Sequence, residues 1–159
     1  MGNCSEEKKE LVEKIGLHFE KEYNLAPLAA RIFGLLILSP TDEFTFDEIT
    51  QITCASKSSV STNINFLLQL KNIEYFTKPG DRKRYFKISK NHLQISLGEN
   101  LHKINKDIEM INLIDDYNCQ FEENQSHKHQ VRTIYKAYLK NQQENLTNTI
   151  NKIKTIDNL

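Results

Sequence analysis

The chain has 159 residues, of which 38% are hydrophobic and 26% are charged, and its formal net charge is zero. This length suits one compact domain, or a small domain with a helical extension, and the composition supports a buried core. The low content of glycine and proline argues against an all-β fold with many tight turns. The net charge of zero excludes a uniformly polybasic protein.

The charge is unevenly distributed along the chain. Residues 1–53 carry a net charge of −5 and residues 91–159 a net charge of −1. Residues 54–90 carry eight basic and two acidic side chains, which gives this segment a net charge of +6. Such a basic window is what binding to a phosphate backbone requires, with a solvated basic surface as the alternative.

Cysteine usage and hydropathy indicate a cytoplasmic protein without a membrane span. Cys4, Cys54 and Cys119 are odd in number and widely spaced, so they predict no disulfide framework. The longest apolar run, residues 32–38, is much shorter than the roughly 20 residues that a spanning helix needs. We expect no N-terminal myristoylation, because Glu6 occupies the position that requires serine or threonine.

The first part of the chain predicts two helices. Apolar residues at helical spacing among Glu and Lys predict an amphipathic helix over residues 5–23. A more apolar helix is expected to begin near Pro27 and to end at Ser39-Pro40, because proline fits a helix start and interrupts a helix interior. Its leucines and isoleucines make this second helix the predicted centre of the core.

A helix-turn-helix is predicted next. Thr45 and Glu48 form a capping box that opens a short helix over residues 46–53. After the three-residue turn at 54–56, Ser56 is a good N-cap for a second helix, which reaches about Lys71. Asn72 then follows where a left-handed residue is expected. One stripe of this second helix is apolar: Val60, Ile64, Leu67 and Leu68.

The outward face of the second helix is polar. It carries Lys57, Ser58, Ser59, Ser61, Thr62 and Asn65. Short hydrogen-bonding side chains let a helix approach the floor of a DNA major groove, and the amides at its N-terminus favour phosphate. We expect Thr62 and Asn65 to contact base edges and the serines to contact phosphates, although capping and solvation are the alternative for any single residue.

A β-hairpin is predicted from strands over residues 73–78 and 84–89, joined by the turn residues Pro79-Gly80-Asp81. The cations near its tip are expected to grip phosphates or to enter a minor groove. They are Lys78, Arg82, Lys83 and Arg84. The neighbouring aromatic residues Tyr75, Phe76, Tyr85 and Phe86 are expected to pack the sheet.

From about Leu93 the sequence is helical. An apolar stripe runs from Leu97 to Phe121, and a second one runs from Val131 to Ile153 after a polar break at residues 122–128. Since this chain has too little core to cover both stripes, a second copy is expected to cover them. The alternative is a monomer whose terminal helices fold back on the first helix.

Residues 25–90 closely resemble the GbsR-like branch of the MarR superfamily of bacterial transcriptional regulators. The resemblance rests on the helix with Pro27 and Arg31, on "SKSSVSTNINFL" and on "GDRKRYF". It implies a homodimeric winged-helix regulator in which the outward residues of the second helix and the wing residues Arg82, Lys83 and Arg84 bind double-stranded DNA. This sequence has Lys71-Asn72 where the family usually has glycine, a position that Asn tolerates.

The predicted fold is therefore mainly α with a small β-hairpin wing. Residues 1–24 form a supporting or dimerising helix, residues 25–90 a winged helix-turn-helix, and residues 91–159 a helical dimerisation region. The predicted function is sequence-specific DNA binding by a homodimeric repressor that acts on a pseudo-palindromic operator. No cofactor is expected.

Other functions have weaker support in the sequence. A metal- or redox-responsive regulator would use Cys119, His127 and His129, but the last two fall in a stretch that favours a solvated loop. A small-molecule effector could contact Tyr117, Phe121, Tyr135 and Tyr138, although aromatic residues at this spacing are more often core. A protein-binding winged helix would show an apolar outward face. No catalytic motif is found, and the acidic pairs Asp115-Asp116 and Glu122-Glu123 suit solvation.

Overall fold

A computed structural model of the protein describes residues 6–39, 43–119 and 127–157. The helices are α1 (Glu6–Tyr23), α2 (Pro27–Ile37), α3 (Phe46–Thr53), α4 (Lys57–Gln69), α5 (His92–Cys119) and α6 (His127–Asp157), and the strands are β1 (Phe44–Thr45), β2 (Ile73–Thr77) and β3 (Arg84–Ile88). The chain divides into two compact units, residues 1–92 and 93–159. The predicted mainly α fold with a small wing is confirmed.

The core of the first unit is centred on α2, as the sequence predicts. Ile32, Leu35 and Leu36 are completely buried, and α3, α4 and the sheet add buried side chains that include Ile49, Val60, Ile64, Leu67 and Phe86. Burial of each large apolar side chain stabilises the fold by about 1.5–3 kcal/mol. Helix α4 is therefore held by its inward stripe, on which Leu68 is only half-buried.

Helices α1 and α2 pack at close range because glycines lie where they meet. A methyl group added at Gly34 would lie 3.1 Å from Cγ2 of Ile15, and one added at Gly16 would lie 2.9 Å from Cγ of Arg31. The Arg31 guanidinium also donates to the carboxylates of Glu13 and Glu20. Its hydrogen bond holds the pKa of Glu13 below the usual value. Close packing and an ion-pair cluster together fix α1 on α2.

The predicted caps of α3 and α4 are confirmed. The Thr45 hydroxyl accepts from the Glu48 amide at 3.3 Å, and the Glu48 carboxylate accepts from the Thr45 amide at 2.7 Å. The Ser56 hydroxyl accepts from the amide of Ser59 at 3.2 Å. Cys54 between the two helices adopts a left-handed conformation, with φ 51°, so the turn reverses the chain at this residue.

The end of α4 differs from the prediction. The left-handed residue is Lys71, with φ 57°, and not Asn72. Because the helix ends at Gln69 with Leu70 as its C-cap, earlier than the predicted end near Lys71, the reversal falls on Lys71. The amides of Lys71 and Asn72 then donate to the carbonyls of Leu68 and Leu67, the pattern that closes many helix ends.

The wing is a three-stranded antiparallel sheet in the order β1-β3-β2. The register pairs Phe86 with Tyr75 on one side and with Phe44 on the other. Strand β1 was not predicted, because two residues are too short to show an alternating pattern. At the tip, Gly80 has φ 78° and the Asp81 amide donates to the Lys78 carbonyl at 3.0 Å, as expected for a turn with glycine after proline.

The second unit contains nearly all of α5 and the whole of α6. Ile111 on α5 and Leu139 and Ile150 on α6 are buried. One correction applies at the start of α6. Residues 127–129 begin this helix and do not form a loop, so the polar break ends earlier than predicted. Phe121 and the Glu122-Glu123 pair lie outside the described residues. None of the described helices has the length and apolarity that crossing a bilayer requires.

Candidate nucleic-acid interface

The outward face of α4 is polar over its first half. Lys57, Ser58, Ser59, Ser61, Thr62 and Asn65 are all exposed. Farther along the helix, Phe66 and Leu70 are 40% and 38% exposed, which sequence reasoning did not single out. The groups able to hydrogen-bond a nucleic acid are therefore concentrated toward the N-terminal end of α4, and exposed apolar side chains appear only toward its C-terminal end.

The polar side chains of α4 differ in how many hydrogen bonds they already make. The Thr62 hydroxyl donates to the Ser58 carbonyl at 3.1 Å, and the Asn63 amide donates to the Ser59 carbonyl at 2.8 Å. The hydroxyls of Ser58 and Ser59 contact that of Ser56. Within the described parts of the chain, the Asn65 side chain makes no hydrogen bond, so its full donor and acceptor capacity faces outward.

The wing cations also differ in the contacts that they already make within the protein. The Lys78 ammonium lies 2.6 Å from the Glu43 carboxylate and 4.2 Å from the centre of the Tyr85 ring, and the bond to Glu43 raises the pKa of Lys78. The Arg84 guanidinium lies 4.8 Å from the Tyr75 ring. Of the four aromatic residues expected to pack the sheet, Phe86 is buried, Phe76 and Tyr85 are half-buried and stack on each other, and Tyr75 is 47% exposed.

Asp81 shapes the tip of the wing. Its carboxylate accepts from the Tyr85 hydroxyl at 2.6 Å and from the Lys83 amide at 2.9 Å. These two bonds lower the pKa of Asp81, and the bond from the Tyr85 hydroxyl has the larger effect. The same Tyr85–Asp81 bond raises the pKa of Tyr85. The tip therefore has a defined backbone shape, while the side chains of Arg82 and Lys83 are exposed.

The first turn of α3 interacts with cations from both α4 and the wing. Lys57 at the start of α4 lies 3.2 Å from the Asp47 carboxylate. The pKa of Glu48 is lowered chiefly by the Thr45 amide, next by the Thr45 hydroxyl, and further by the charge of Lys83. Thr45, which caps α3, pairs with Tyr85 of β3, and the Tyr85 hydroxyl donates to Asp81 at the tip. Together with the Lys57–Asp47 contact, this pairing brings the start of α4 and the wing to the same part of the first unit.

Asp115 links α5 to α6 in the second unit. The prediction that this residue lies on a solvated helix face is therefore wrong. Its carboxylate accepts from Arg132 and Lys136, each at 3.1 Å, and His129 lies 4.0 Å away. Burial opposes ionisation of Asp115, but the hydrogen bonds from Lys136 and Arg132 outweigh it, so the pKa of this carboxyl lies below its usual value. No signal in the local sequence pairs these residues.

Replacing Asp115 by asparagine is expected to destabilise the fold by about 1–2 kcal/mol, since charge-assisted bonds from two cations are lost. Because its folded-state pKa is lowered, the carboxylate contributes its full stabilisation above the unfolded-state pKa, and this is lost as the pH falls through the folded-state value. Urea unfolding of wild type and Asp115→Asn at neutral and acidic pH checks both points. The exposed neighbour Asp116→Asn is the control, and a difference that persists at low pH would contradict the assignment.

Both helices of the second unit carry exposed apolar stripes. On α5 these are Met110, Leu113, Ile114 and Tyr117, and on α6 they are Val131, Ile134, Tyr135 and Tyr138. Each set has the spacing of one helix face. The tyrosines on these stripes are 49–62% exposed in the single chain. Contiguous apolar surface of this kind marks an interaction face.

The residues weighed for metal binding give no site among those that the structure describes. No group of three or more histidine, cysteine or acidic side chains there could hold a metal ion. His129 is close to Asp115, His127 is exposed, and the Cys119 side chain is outside the described part.

Comparison with known proteins places these features in context. The chain matches no protein-family model. A curated relative, the HTH-type transcriptional regulator MmpR5 of Mycobacterium tuberculosis, is 34% identical over 82 residues, which cover 52% of this chain and 49% of that protein. The match thus spans about half the length of the relative. A solved structure titled a transcriptional regulator has a TM-score of 0.52 at 22% identity and covers 92% of each chain. The chain has the winged helix-turn-helix fold.

Proposed function

We propose that this protein is a cytoplasmic transcriptional repressor that binds double-stranded DNA sequence-specifically as a homodimer. Helix α4 enters the major groove, and the wing contacts the adjacent backbone or minor groove. The observation that carries the proposal is the exposed polar half of α4, with Lys57 lying 3.2 Å from Asp47 of α3 and the wing strand β3 paired to Thr45 at the start of the same helix.

Two similarities support this function: that to the relative MmpR5, and that of residues 25–90 to a known superfamily. The relative MmpR5 is by its name an HTH-type transcriptional regulator, and its match covers about half of each chain. The resemblance of residues 25–90 to the MarR superfamily agrees with that name, and membership of the GbsR-like branch stays a prediction. A DNA-binding surface needs positive charge, which the net +6 of residues 54–90 supplies.

The homodimer is proposed from the apolar stripes of α5 and α6. A second copy of the chain would cover the same stripes, since a two-fold interface is self-complementary. A dimer also presents two copies of α4, as a pseudo-palindromic operator requires. Tyr117, Tyr135 and Tyr138, which a small-molecule effector could contact, lie on these stripes.

The wing is tested with Arg82→Ala. Among the described residues Arg82 makes no ion pair or hydrogen bond, so its loss leaves the fold intact. We expect weaker binding to every DNA sequence and a salt slope of log K against log salt that is shallower by about 0.9, the value for one phosphate contact. Fluorescence anisotropy with labelled duplexes over a salt series measures both quantities.

The control is Lys152→Ala, which removes one exposed cation from α6. It should leave the salt slope unchanged. If Arg82→Ala bound as tightly as wild type with the same slope, the wing would have no part in binding. If wild type bound no duplex at low salt, the DNA-binding function itself would be refuted in favour of a protein-binding winged helix.

A further inference from the structure

Two carboxylates form ion pairs with lysines of the candidate DNA surface. Asp47 lies 3.2 Å from the Lys57 ammonium at the start of α4, and Glu43 lies 2.6 Å from the Lys78 ammonium on the wing. All four side chains reach solvent, with exposures of 71% for Asp47, 75% for Lys57, 36% for Glu43 and 46% for Lys78. Both lysines are thus accessible to a phosphate, but each already has an anionic partner.

A third nearby carboxylate, that of Glu48, has a different role. It accepts from the amide and the hydroxyl of Thr45, each at 2.7 Å, and so belongs to the cap of α3. Glu43 and Asp47 make no such bonds to the described backbone. Among the described residues, Glu43 contacts Lys78 and Asp47 contacts Lys57 as ion pairs, so changing these carboxylates tests charge without removing a helix cap.

Arg82 provides the contrast within the same surface. Among the residues that the structure describes, no carboxylate lies within ion-pair distance of its guanidinium. A phosphate that approaches Arg82 therefore meets an uncompensated charge. A phosphate that approaches Lys57 or Lys78 must displace a carboxylate, and that carboxylate then remains beside the DNA with its charge exposed.

We propose that Glu43 and Asp47 are positioning residues that compete with DNA phosphates for Lys78 and Lys57, and so limit how tightly the surface binds DNA of any sequence. The inference rests on the proposed DNA-binding function. Exposed ion pairs contribute little to folding, so these pairs have a small structural effect. Their effect on binding is larger, because sequence-independent binding to DNA is almost wholly electrostatic.

The expected effect has two parts. Asp47→Asn and Glu43→Gln should each raise the affinity for a random-sequence duplex of about three helical turns by about twofold to fivefold at low salt. Each should also make the salt slope steeper, by up to about 0.9, because the displaced carboxylate no longer takes up a cation when DNA binds. Unfolding curves of the variants should match wild type closely.

A double-mutant cycle isolates the pair. In a Lys57→Gln background, Asp47→Asn should give a clearly smaller gain in affinity, because no lysine remains to be released and only the repulsion between Asp47 and the phosphates is relieved. Glu22→Gln is the matched control. It removes the same charge from an exposed position on α1 and should leave the salt slope unchanged.

Three results would overturn the inference. One is an unchanged affinity and slope in both carboxylate variants, another is an equal gain in the Lys57→Gln background, and the third is an equal gain from Glu22→Gln. Each of these leaves the proposed function standing, provided that wild type binds the duplex. Absence of binding by wild type and all variants would remove the proposed function together with this inference.

Discussion

Replacing Leu113 and Ile134 by glutamate is expected to make the protein monomeric and to weaken binding to its operator by about 10²–10⁴-fold. These side chains are 62% and 71% exposed on the apolar stripes of α5 and α6. A charge at either position would have to be buried unpaired in the proposed dimer interface, which is strongly unfavourable. The loss of affinity follows because two linked copies of α4 bind two half-sites far more tightly than one copy binds a single half-site.

Sedimentation equilibrium measures the assembly of this double variant, and anisotropy measures its affinity. Asn112→Glu with Thr133→Glu is the matched control, since both positions are exposed on the same helices but outside the stripes. The control should remain dimeric and bind as wild type does. A double variant that stays dimeric would show that the interface lies elsewhere. A monomeric wild type that binds its operator at full strength would refute the dimer.

Asn65→Ala is expected to reduce operator affinity by about 1–3 kcal/mol, with little change on random-sequence DNA, if its amide makes a bidentate contact to adenine. Asn65 is the natural choice because it is exposed on α4, and among the described residues its side chain makes no hydrogen bond. Binding measured on the operator and on a random duplex under the same salt conditions separates base contact from phosphate contact.

The neighbouring variant Asn63→Ala is the control for Asn65. The Asn63 amide already donates to the Ser59 carbonyl, and the residue is only half-exposed, so its loss should change affinity little on either DNA. An equal loss on operator and random DNA for Asn65→Ala would assign Asn65 to phosphate contact. No loss on either would exclude it from the interface.

The fold could be predicted where local chemistry decides it. The bounds of α3, its Thr45–Glu48 capping box and the Ser56 cap of α4 depend on residues within one helical turn of each other, and all are confirmed. The predicted elements were wrong or incomplete where a single residue, or a partner far along the chain, decides the local structure. Helix α4 ends at Gln69 and not near Lys71, and β1 exists because Phe44 pairs with Phe86 of a strand far along the chain.

The candidate interface could be predicted in part. Helical periodicity alone indicated that Lys57, Thr62 and Asn65 face outward, and these side chains are exposed. The sequence could not show which of them already have partners. The pairing of Lys78 with Glu43 and the contact of Asp115 with Arg132 join separate elements, so they follow from tertiary packing and leave no local pattern.

Footprinting of the protein on fragments of its own genome, beginning with the DNA upstream of its coding sequence, tests the central claim most directly. A dimer with an α4 helix in each of two major grooves should protect two half-sites related by approximate two-fold symmetry, with centres about one helical turn apart or a multiple of it. Protection should fade as salt is raised. If the protein protected no fragment at low salt, the proposed DNA binding would be contradicted.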